Sequence, residues 1–433
     1  MSGMAAVHWF GRAPKPVESV FAIVEAMTTP PKHILNGYRV LDMTHVIAGP
    51  TATRLMAEMG AEIIKVEFPP LGDVSRSLPA LKNGRSAYYT QQNRGKKSLC
   101  LDVKSEEGKT ILADLIKKSD VFIENFAPGA IGRLGFGWNK VHELNRNIVM
   151  CSVSAFGQSG SLSALPGFDY IAQAYSGITD IIGEPGSAPA IPMAAIGDVS
   201  TGVHAACAIG YALLHREHGG EGQYLDISLL DSYMGYHELN VQIYSVSGGA
   251  NEPTRSGSHH YAVCPLGLFK GKNGWICIIA LQPQWPSVCR AIGRPDLIED
   301  PRYDANEKRV AAAQEVIDII QAWVDAAPSD EAVFEALQAE RVPCAPVLKI
   351  SEIVNHPHML ERGTIRTIRD AKLGEVLMPG MPLRFSGFEH NCHMEAASLG
   401  EHNAEVLRSV LAYSDGEIGA LARSGVLHAN PDT

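Results

Sequence analysis

Arg39-Val40-Leu41-Asp42, a helical pattern over residues 50–59, and Glu62-Ile63-Ile64-Lys65-Val66-Glu67 set out the first strand-helix-strand unit of the chain. The two short apolar runs read as strands, and the segment between them is long enough for a helix that returns the chain to begin a parallel neighbour. The rhythm continues downstream. Ser105 heads a helix with Glu106 and Glu107 in its first turn and Lys117-Lys118 in its last, the charge order that suits the helix dipole. Val121-Phe122-Ile123 and Ile148-Val149-Met150-Cys151-Ser152-Val153 follow as buried strands. Repeated βα units of this kind predict an α/β fold: a Rossmann-like large domain built on a parallel sheet with helices on both faces.

Open sheets of that type bind ligands beyond the carboxyl ends of their strands. Four segments are therefore expected to meet: residues 44–50 (Thr-His-Val-Ile-Ala-Gly-Pro), 124–129 (Glu-Asn-Phe-Ala-Pro-Gly), 154–157 (Ser-Ala-Phe-Gly) and the loop before Asp169. Gly129, Gly132, Gly135 and Gly137 do not form the strand-GxGxxG-helix fingerprint, and there is no P-loop, so no dinucleotide or nucleoside triphosphate is expected. Residues 199–215 are alanine-rich and apolar on most faces, which predicts a buried helix. A turn at 219–223, a strand at 224–227 and a helix from Leu229 come next.

The large domain is expected to begin at 36, after an N-terminal extension over 1–35, and to run to 230; residues 231–250 read as a linker. A smaller α+β domain is expected over 251–340. Its signals are a hairpin, 267–270 and 275–280 around Gly271-Lys272-Asn273-Gly274, and helices over 284–292 and 307–327. Residues 341–433 are expected to return to the large domain.

The composition of these 433 residues, 45% hydrophobic and 19% charged, is that of a globular chain. A net charge of −10 without any Lys/Arg stripe counts against nucleic acid and against membrane surfaces, and no apolar run approaches the ~20 residues of a spanning helix. Eight cysteines, with no CxxC pair or zinc spacing, read as reduced core residues; together with the lack of a secretory pattern they point to a cytoplasmic protein.

Asp169 is the residue of greatest interest. It stands in Pro166-Gly167-Phe168-Asp169-Tyr170-Ile171-Ala172, a carboxylate set into an apolar run after a turn. Its spacing fits an N-cap of the helix that follows, the reading that residue type and spacing favour, with a catalytic carboxylate as the alternative. Asp198 likewise reads as an N-cap before Val199-Ser200-Thr201, or as a second acid. His45 is a candidate contact to substrate. Arg94, Lys96 and Lys97 read either as a solvated face or as contacts to an anionic ligand.

Many motifs in a fixed order resemble the family III CoA-transferases, the family of formyl-CoA transferase, carnitine CoA-transferase and the α-methylacyl-CoA racemases. They include Gly37-Tyr38-Arg39-Val40-Leu41-Asp42-Met43-Thr44 with Ala48-Gly49-Pro50, then Gly60-Ala61-Glu62-Ile63-Ile64-Lys65-Val66-Glu67, Gly72-Asp73 with Arg76, and Asn93-Arg94-Gly95-Lys96-Lys97-Ser98. Further on stand Glu124-Asn125-Phe126 with Pro128-Gly129, Gly167-Phe168-Asp169, Gly197-Asp198 with Gly202, and Val342-Pro343-Cys344-Ala345-Pro346. The resemblance implies an interlocked homodimer acting on an acyl-CoA and a carboxylic acid, with coenzyme A as substrate and no tightly bound cofactor or metal. It implies that Asp169 is the nucleophile, forming an aspartyl anhydride and then an aspartyl-CoA thioester. It also implies that Val46, Leu101, Asn125, Phe126 and Arg133 line the CoA site, with Ile47 and Ala48 beside them, and that Ser154, Ala155 and Phe156 lie next to the thioester. Arg94 and Lys97 would then meet the nucleotide end of CoA, and Gly257, Ser258, His259 and His260 would form a loop closing over the acyl aspartate.

The chain departs from the formyl-CoA transferases, which carry Gln at the position of Ile47, Tyr at Phe156, Trp near Leu78 and a glycine run at 257–260; these differences count against oxalate as acceptor. The racemase branch places a proton-shuttling His directly before the aspartate. Here that residue is Phe168, which cannot shuttle a proton and so favours transfer over racemisation; the resemblance offers succinyl-CoA as a donor. A racemase or epimerase and a catalytically silent CoA-binding dimer stand as the alternatives.

Overall fold

The computed structural model describes residues 33–388 and 394–430; most of the expected N-terminal extension lies outside them. The chain divides into two compact units. The larger comprises described residues up to Thr179, then Ile191–Gly248, and the chain from Ile353 onward.

Six strands form its sheet: β1 (Arg39–Met43), β2 (Glu62–Glu67), β3 (Lys96–Cys100), β4 (Val121–Glu124), β5 (Val149–Ser154) and β6 (Tyr224–Ser228). Their spatial order is β3-β2-β1-β4-β5-β6 and every pairing is parallel, so the order reverses between β1 and β4. In the register, Val40 pairs with Ile63 and Val121, and Leu41 with Ile64 and Phe122. Because successive side chains point to opposite faces, this register sorts the apolar residues into two layers.

On one face Leu41, Ile64, Leu99, Phe122 and Met150 pack against Ile111, Leu112 and Leu115 of helix Glu106–Lys117 and against Val406 and Leu407 of the C-terminal helix Asn403–Leu411. On the other, Val40, Ile63, Val121, Val149 and Cys151 pack against helix α1 (Ala48–Glu58) and against Ala205, Ile209 and Leu213 of a 22-residue helix, Ile196–Glu217. Ser105 caps the first of these helices through its hydroxyl, as its position predicts. The expected α/β architecture with a parallel sheet is thus present.

Helix Ile196–Glu217 departs from the buried helix expected over 199–215. It buries the stripe Thr201, Gly202, Ala205, Ile209 and Leu213 and exposes Val199, Val203, Tyr211 and Leu214, so a run apolar on most faces has been packed on one only. Cys207 on the same helix is exposed as well, unlike the core cysteines expected from composition.

The smaller unit comprises Asp180–Ala190 and Gly249–Glu352 among the described residues. Its antiparallel strands Leu266–Lys270 and Trp275–Ile279 form the expected hairpin, and Cys344–Pro346 pairs along the other edge of the second strand. That pairing keeps the chain in the small unit to about residue 352, beyond the expected return at 341, because backbone bonding to a sheet edge holds it there. The segment Asp180–Ala190 also belongs to this unit, although sequence pattern placed it in the large one. Helices pack Trp285, Val288, Val316, Ile320 and Leu337 against Phe269, Ile276 and Ile278, and the helix expected over 307–327 breaks at Ala312 into two. Residues 231–250, expected as a linker, are largely helical, ending with Asn240–Val246, which buries none of its residues.

Candidate active site

The ends of β1, β4 and β5 open onto one cavity of about 200 Å³. It is lined by His45, Val46, Ile47 and Ala48 after β1, Asn125 after β4, Ser154 and Ala155 at the end of β5, and by Gly167, Phe168 and Asp198. The order reversal between β1 and β4 creates this crevice, since the loops leaving the two strands diverge to opposite faces.

The first loop is held in an unusual shape. Val46 has φ +67°, a left-handed conformation that costs a β-branched residue roughly 1–2 kcal/mol. Three contacts hold it there. The Asn125 side chain accepts from the His45 N–H at 2.8 Å and donates to the His45 carbonyl at 2.9 Å, and Asp73 Oδ1 accepts from the Val46 N–H at 3.2 Å. Asp73 is itself anchored by Lys65 at 3.0 Å. Burial opposes its ionisation, but Lys65, His45 and the Ser75 N–H outweigh this and keep the carboxyl well below the usual range. The His45 imidazole packs against both Phe68 and Phe126, where burial and the Lys65 charge lower its pKa.

Beneath the loop lies a layer of buried charge. Asp42 accepts from the N–H and hydroxyl of Thr44, from the Thr53 hydroxyl, and from Lys96 at 3.1 Å. Glu67 pairs with Arg76 at 2.7 Å and accepts from Ser98. Lys96 is therefore neither a solvated face nor a ligand contact.

Asp169 is 6% exposed and opens α2 (Asp169–Tyr175), yet it does not cap that helix, whose N-cap residue is Phe168. Its carboxylate reaches across to helix α3, as Ile196–Glu217 is now labelled: Oδ2 accepts from the Asp198 N–H at 3.2 Å, and Oδ1 accepts a short hydrogen bond from the Tyr233 hydroxyl. Tyr233 comes from α4 (Leu229–Met234) and also accepts from the Gly197 N–H at 3.0 Å. A Cβ on Gly197 would collide with both the Tyr233 ring and the Asp169 carboxylate, so only glycine permits this approach. Asp198 is likewise not the expected N-cap. It is the third residue of α3, and burial together with the Asp169 charge pushes its carboxyl up to about 7. The carboxylate thus has hydrogen-bond donors on both oxygens and, among the described residues, no cation paired to it, a form suited to attack on a polarised carbonyl.

Eight of the expected residues, His45, Val46, Ile47, Ala48, Asn125, Ser154, Ala155 and Asp198, share the cavity, and Asp169 sits directly behind Phe168 and Asp198. The Ser154 hydroxyl is buried without a hydrogen-bond partner among the described residues. Phe126 stacks on Phe68 at the cavity edge, and Phe156 packs edge-on against Tyr175. Arg133 is exposed on the short helix after β4. Leu101 is fully buried in the core. Arg94 is buried and paired to Glu58 at 2.7 Å, and Lys97 lies between Glu62 and Glu405, each at 2.8 Å; neither lines the cavity. Ser258, His259 and His260 line a separate cavity of about 830 Å³ inside the small unit, with Lys270, Trp275 and Gln321, while the Gly257 N–H donates to Gly183 at 3.0 Å.

Sequence reading missed Tyr233 and Gln173. Tyr233 follows an unremarkable Leu-Leu-Asp-Ser helical start, and only the packing of α4 beside α2 and α3 reveals it. Among the described residues no cluster of His, Cys, Asp or Glu is arranged to hold a metal, and no helix is long and apolar enough to cross a membrane.

Known proteins are similar along nearly the whole length. The chain is 35% identical over 412 residues to a formyl-CoA:oxalate CoA-transferase of Streptomyces coelicolor, covering 91% of this chain and 99% of that one. It is 32% identical to the human succinyl-CoA:glutarate CoA-transferase, covering 91% and 90%. The solved structure of a CAIB/BAIF family protein from Brucella suis superposes with a TM-score of 0.76 at 27% identity, covering 88% of this chain and all of that one. The model of CoA-transferase family III matches residues 35–403, and the chain, an α/β protein with a carboxylate set at its strand-end crevice, belongs to that family of CoA-transferring enzymes.

Proposed function

We propose that the protein moves CoA from an acyl-CoA to a carboxylic acid by covalent catalysis at Asp169. The observation that carries this reading is a buried carboxylate held by neutral donors, behind a cavity at the strand ends and without a cationic partner among the described residues. An Asp169 oxygen attacks the thioester carbonyl, giving a mixed anhydride and CoA thiolate. The thiolate adds to the aspartyl carbonyl, the donor acid leaves, and an aspartyl-CoA thioester remains. An acceptor carboxylate then reverses these steps. Splitting the transfer in this way retains the energy of the thioester throughout.

Relatives named for succinyl-CoA and glutarate, and for formyl-CoA and oxalate, support a small dicarboxylate as one partner of the exchange. Ile47 on the cavity wall and the buried Phe156 favour a larger, less polar acid than oxalate. The interlocked homodimer belongs to the same proposal, supported by family membership and by the exposed apolar stripe Val199, Val203, Tyr211 and Leu214 on α3. Closure of residues 257–260 over the acyl aspartate would take place in that assembly.

The test is intact-mass analysis after mixing with succinyl-CoA, followed by mapping of the adduct. A succinyl or CoA adduct on the Asp169 peptide, absent from Asp169→Ala, is expected; CoA transfer retained by Asp169→Ala would sink the reading. The Asp198 carboxyl, pushed up to about 7 at the same cavity, favours racemisation as the second reading. Incorporation of solvent deuterium at the α-carbon of an acyl-CoA without any protein adduct would establish that instead.

A further inference from the structure

Tyr233 is 1% exposed and its hydroxyl makes three hydrogen bonds. It accepts from the Gly197 N–H at 3.0 Å and from Gln173 Nε2 at 3.2 Å, and it donates to Asp169 Oδ1. A phenol oxygen offers two lone pairs and one proton. With both lone pairs taken, the proton has one direction left, toward Asp169. Gln173 is fixed in turn, fully buried, its Oε1 accepting from the Thr179 hydroxyl at 3.1 Å. The donor is therefore oriented before any substrate arrives, and burial raises the phenol pKa further, so the proton stays in place over the working range.

The two Asp169 oxygens are consequently unequal. Oδ2 holds only a 3.2 Å amide bond from Asp198, whose residue lines the cavity. Oδ1 faces the buried phenol. We infer that Oδ2 is the attacking oxygen and that Tyr233 is the oxyanion donor for the second step, holding Oδ1 when CoA thiolate adds to the aspartyl carbonyl. This rests on the nucleophilic role proposed for Asp169.

The atoms balance. In the first step Oδ2 bonds to the acyl carbon, the carbon–sulfur bond breaks, and thiolate leaves. In the second, sulfur bonds to Cγ, the Cγ=Oδ1 π pair moves onto Oδ1 beneath the Tyr233 proton, and the returning pair expels Oδ2 within the donor carboxylate. The first step draws charge away from Asp169, so the phenol does nothing to speed it. In the second step charge concentrates on Oδ1, where the donor counts most.

The experiment compares the full-length protein with Tyr233→Phe, using succinyl-CoA and glutarate as probes and acid-quenched intact mass as readout. Turnover is expected to fall about 10²–10³-fold, the effect of losing one oxyanion donor, with KM for succinyl-CoA within about threefold. The adduct on the Asp169 peptide should change from CoA mass to succinyl mass, because the anhydride accumulates ahead of the slowed step. A merely structural tyrosine would lower both adducts in the wild-type ratio, and that result overturns the inference. If Tyr233→Phe fails to fold, Gln173→Leu, which leaves the phenol present but free to rotate, should shift the adducts the same way with about a tenfold loss; an unchanged ratio there also overturns it. Wild-type protein that turns over with neither adduct on the Asp169 peptide breaks the nucleophile assignment itself, and this inference with it.

Discussion

Two carboxylates near the strand ends of the large unit, Asp42 and Asp169, are both buried and both hydrogen-bonded, yet they are built for opposite ends. Asp42 has a lysine within 3.1 Å, a second lysine close by, and donors from Thr44 and Thr53. Burial raises its pKa, but those cations and hydroxyls prevail and hold it far below the usual range. Every lone pair is spent on structure. Among the described residues, Asp169 receives a backbone amide and a neutral phenol and no cation, and these steady the carboxylate by dipoles. A carboxylate paired to ammonium groups inside a protein is a poor nucleophile, because attack would strip the cations of their counter-charge. One held by dipoles keeps electrons to give.

The sharpest way to break this contrast is to exchange the consequences. Asp169→Ala is expected to lower CoA transfer by at least about 10⁴-fold while costing only about 1–2 kcal/mol of stability, measured by turnover beside denaturant unfolding. Asp42→Ala should do the reverse, costing about 3–5 kcal/mol because Lys96 loses its buried partner while Lys65 keeps Asp73; its remaining folded fraction should keep kcat within a few-fold. If both variants lost activity and stability in equal measure, the distinction between the two carboxylates would collapse.

Asp198 sharpens the comparison through pH. Its carboxyl keeps a proton up to about 7 in the folded chain, against about 4 when unfolded, so folding takes up a proton between those values. The native state binds more protons there, and the contribution to stability is fully present below about pH 4 and lost as pH rises through 7. Asp198→Asn, which keeps the backbone N–H that holds Asp169, should thus gain in melting temperature relative to wild type as pH rises from 5 to 8. A difference that stays flat across that range would show that neither burial nor the Asp169 charge raises this carboxyl. The smallest effect is expected at Val46→Gly. Relief of the left-handed strain offsets lost side-chain contact, so stability should change by no more than about 1 kcal/mol while KM for acyl-CoA rises a few-fold as the loop loosens.

Legibility from sequence followed the range of the forces. The strands at 39–42, 62–67, 121–123 and 148–153 were readable because apolar runs and turn residues encode them locally, and the hairpin around 271–274 was readable for the same reason. The crevice at their ends followed from the topology those strands imply. Arg94 and Lys97 misled, since a charge run carries no sign of the Glu58, Glu62 and Glu405 that engage it from distant elements. The caps misled similarly. Asp169 and Asp198 look like N-caps of their own helices, but the true arrangement puts the Asp169 side chain over the first turn of α3, 29 residues on.

Local pattern suffices for the alternation of strand and helix, the two-faced burial of the sheet and the chain's resemblance to its family, because periodicity and turn chemistry act over a few residues. Long-range packing settles which carboxylate is left without a cation among the described residues, that Tyr233 aims its proton at Asp169, and that α3 buries a single stripe. Each of those depends on groups tens to hundreds of residues apart meeting at hydrogen-bond distance, and no local pattern specifies such a meeting.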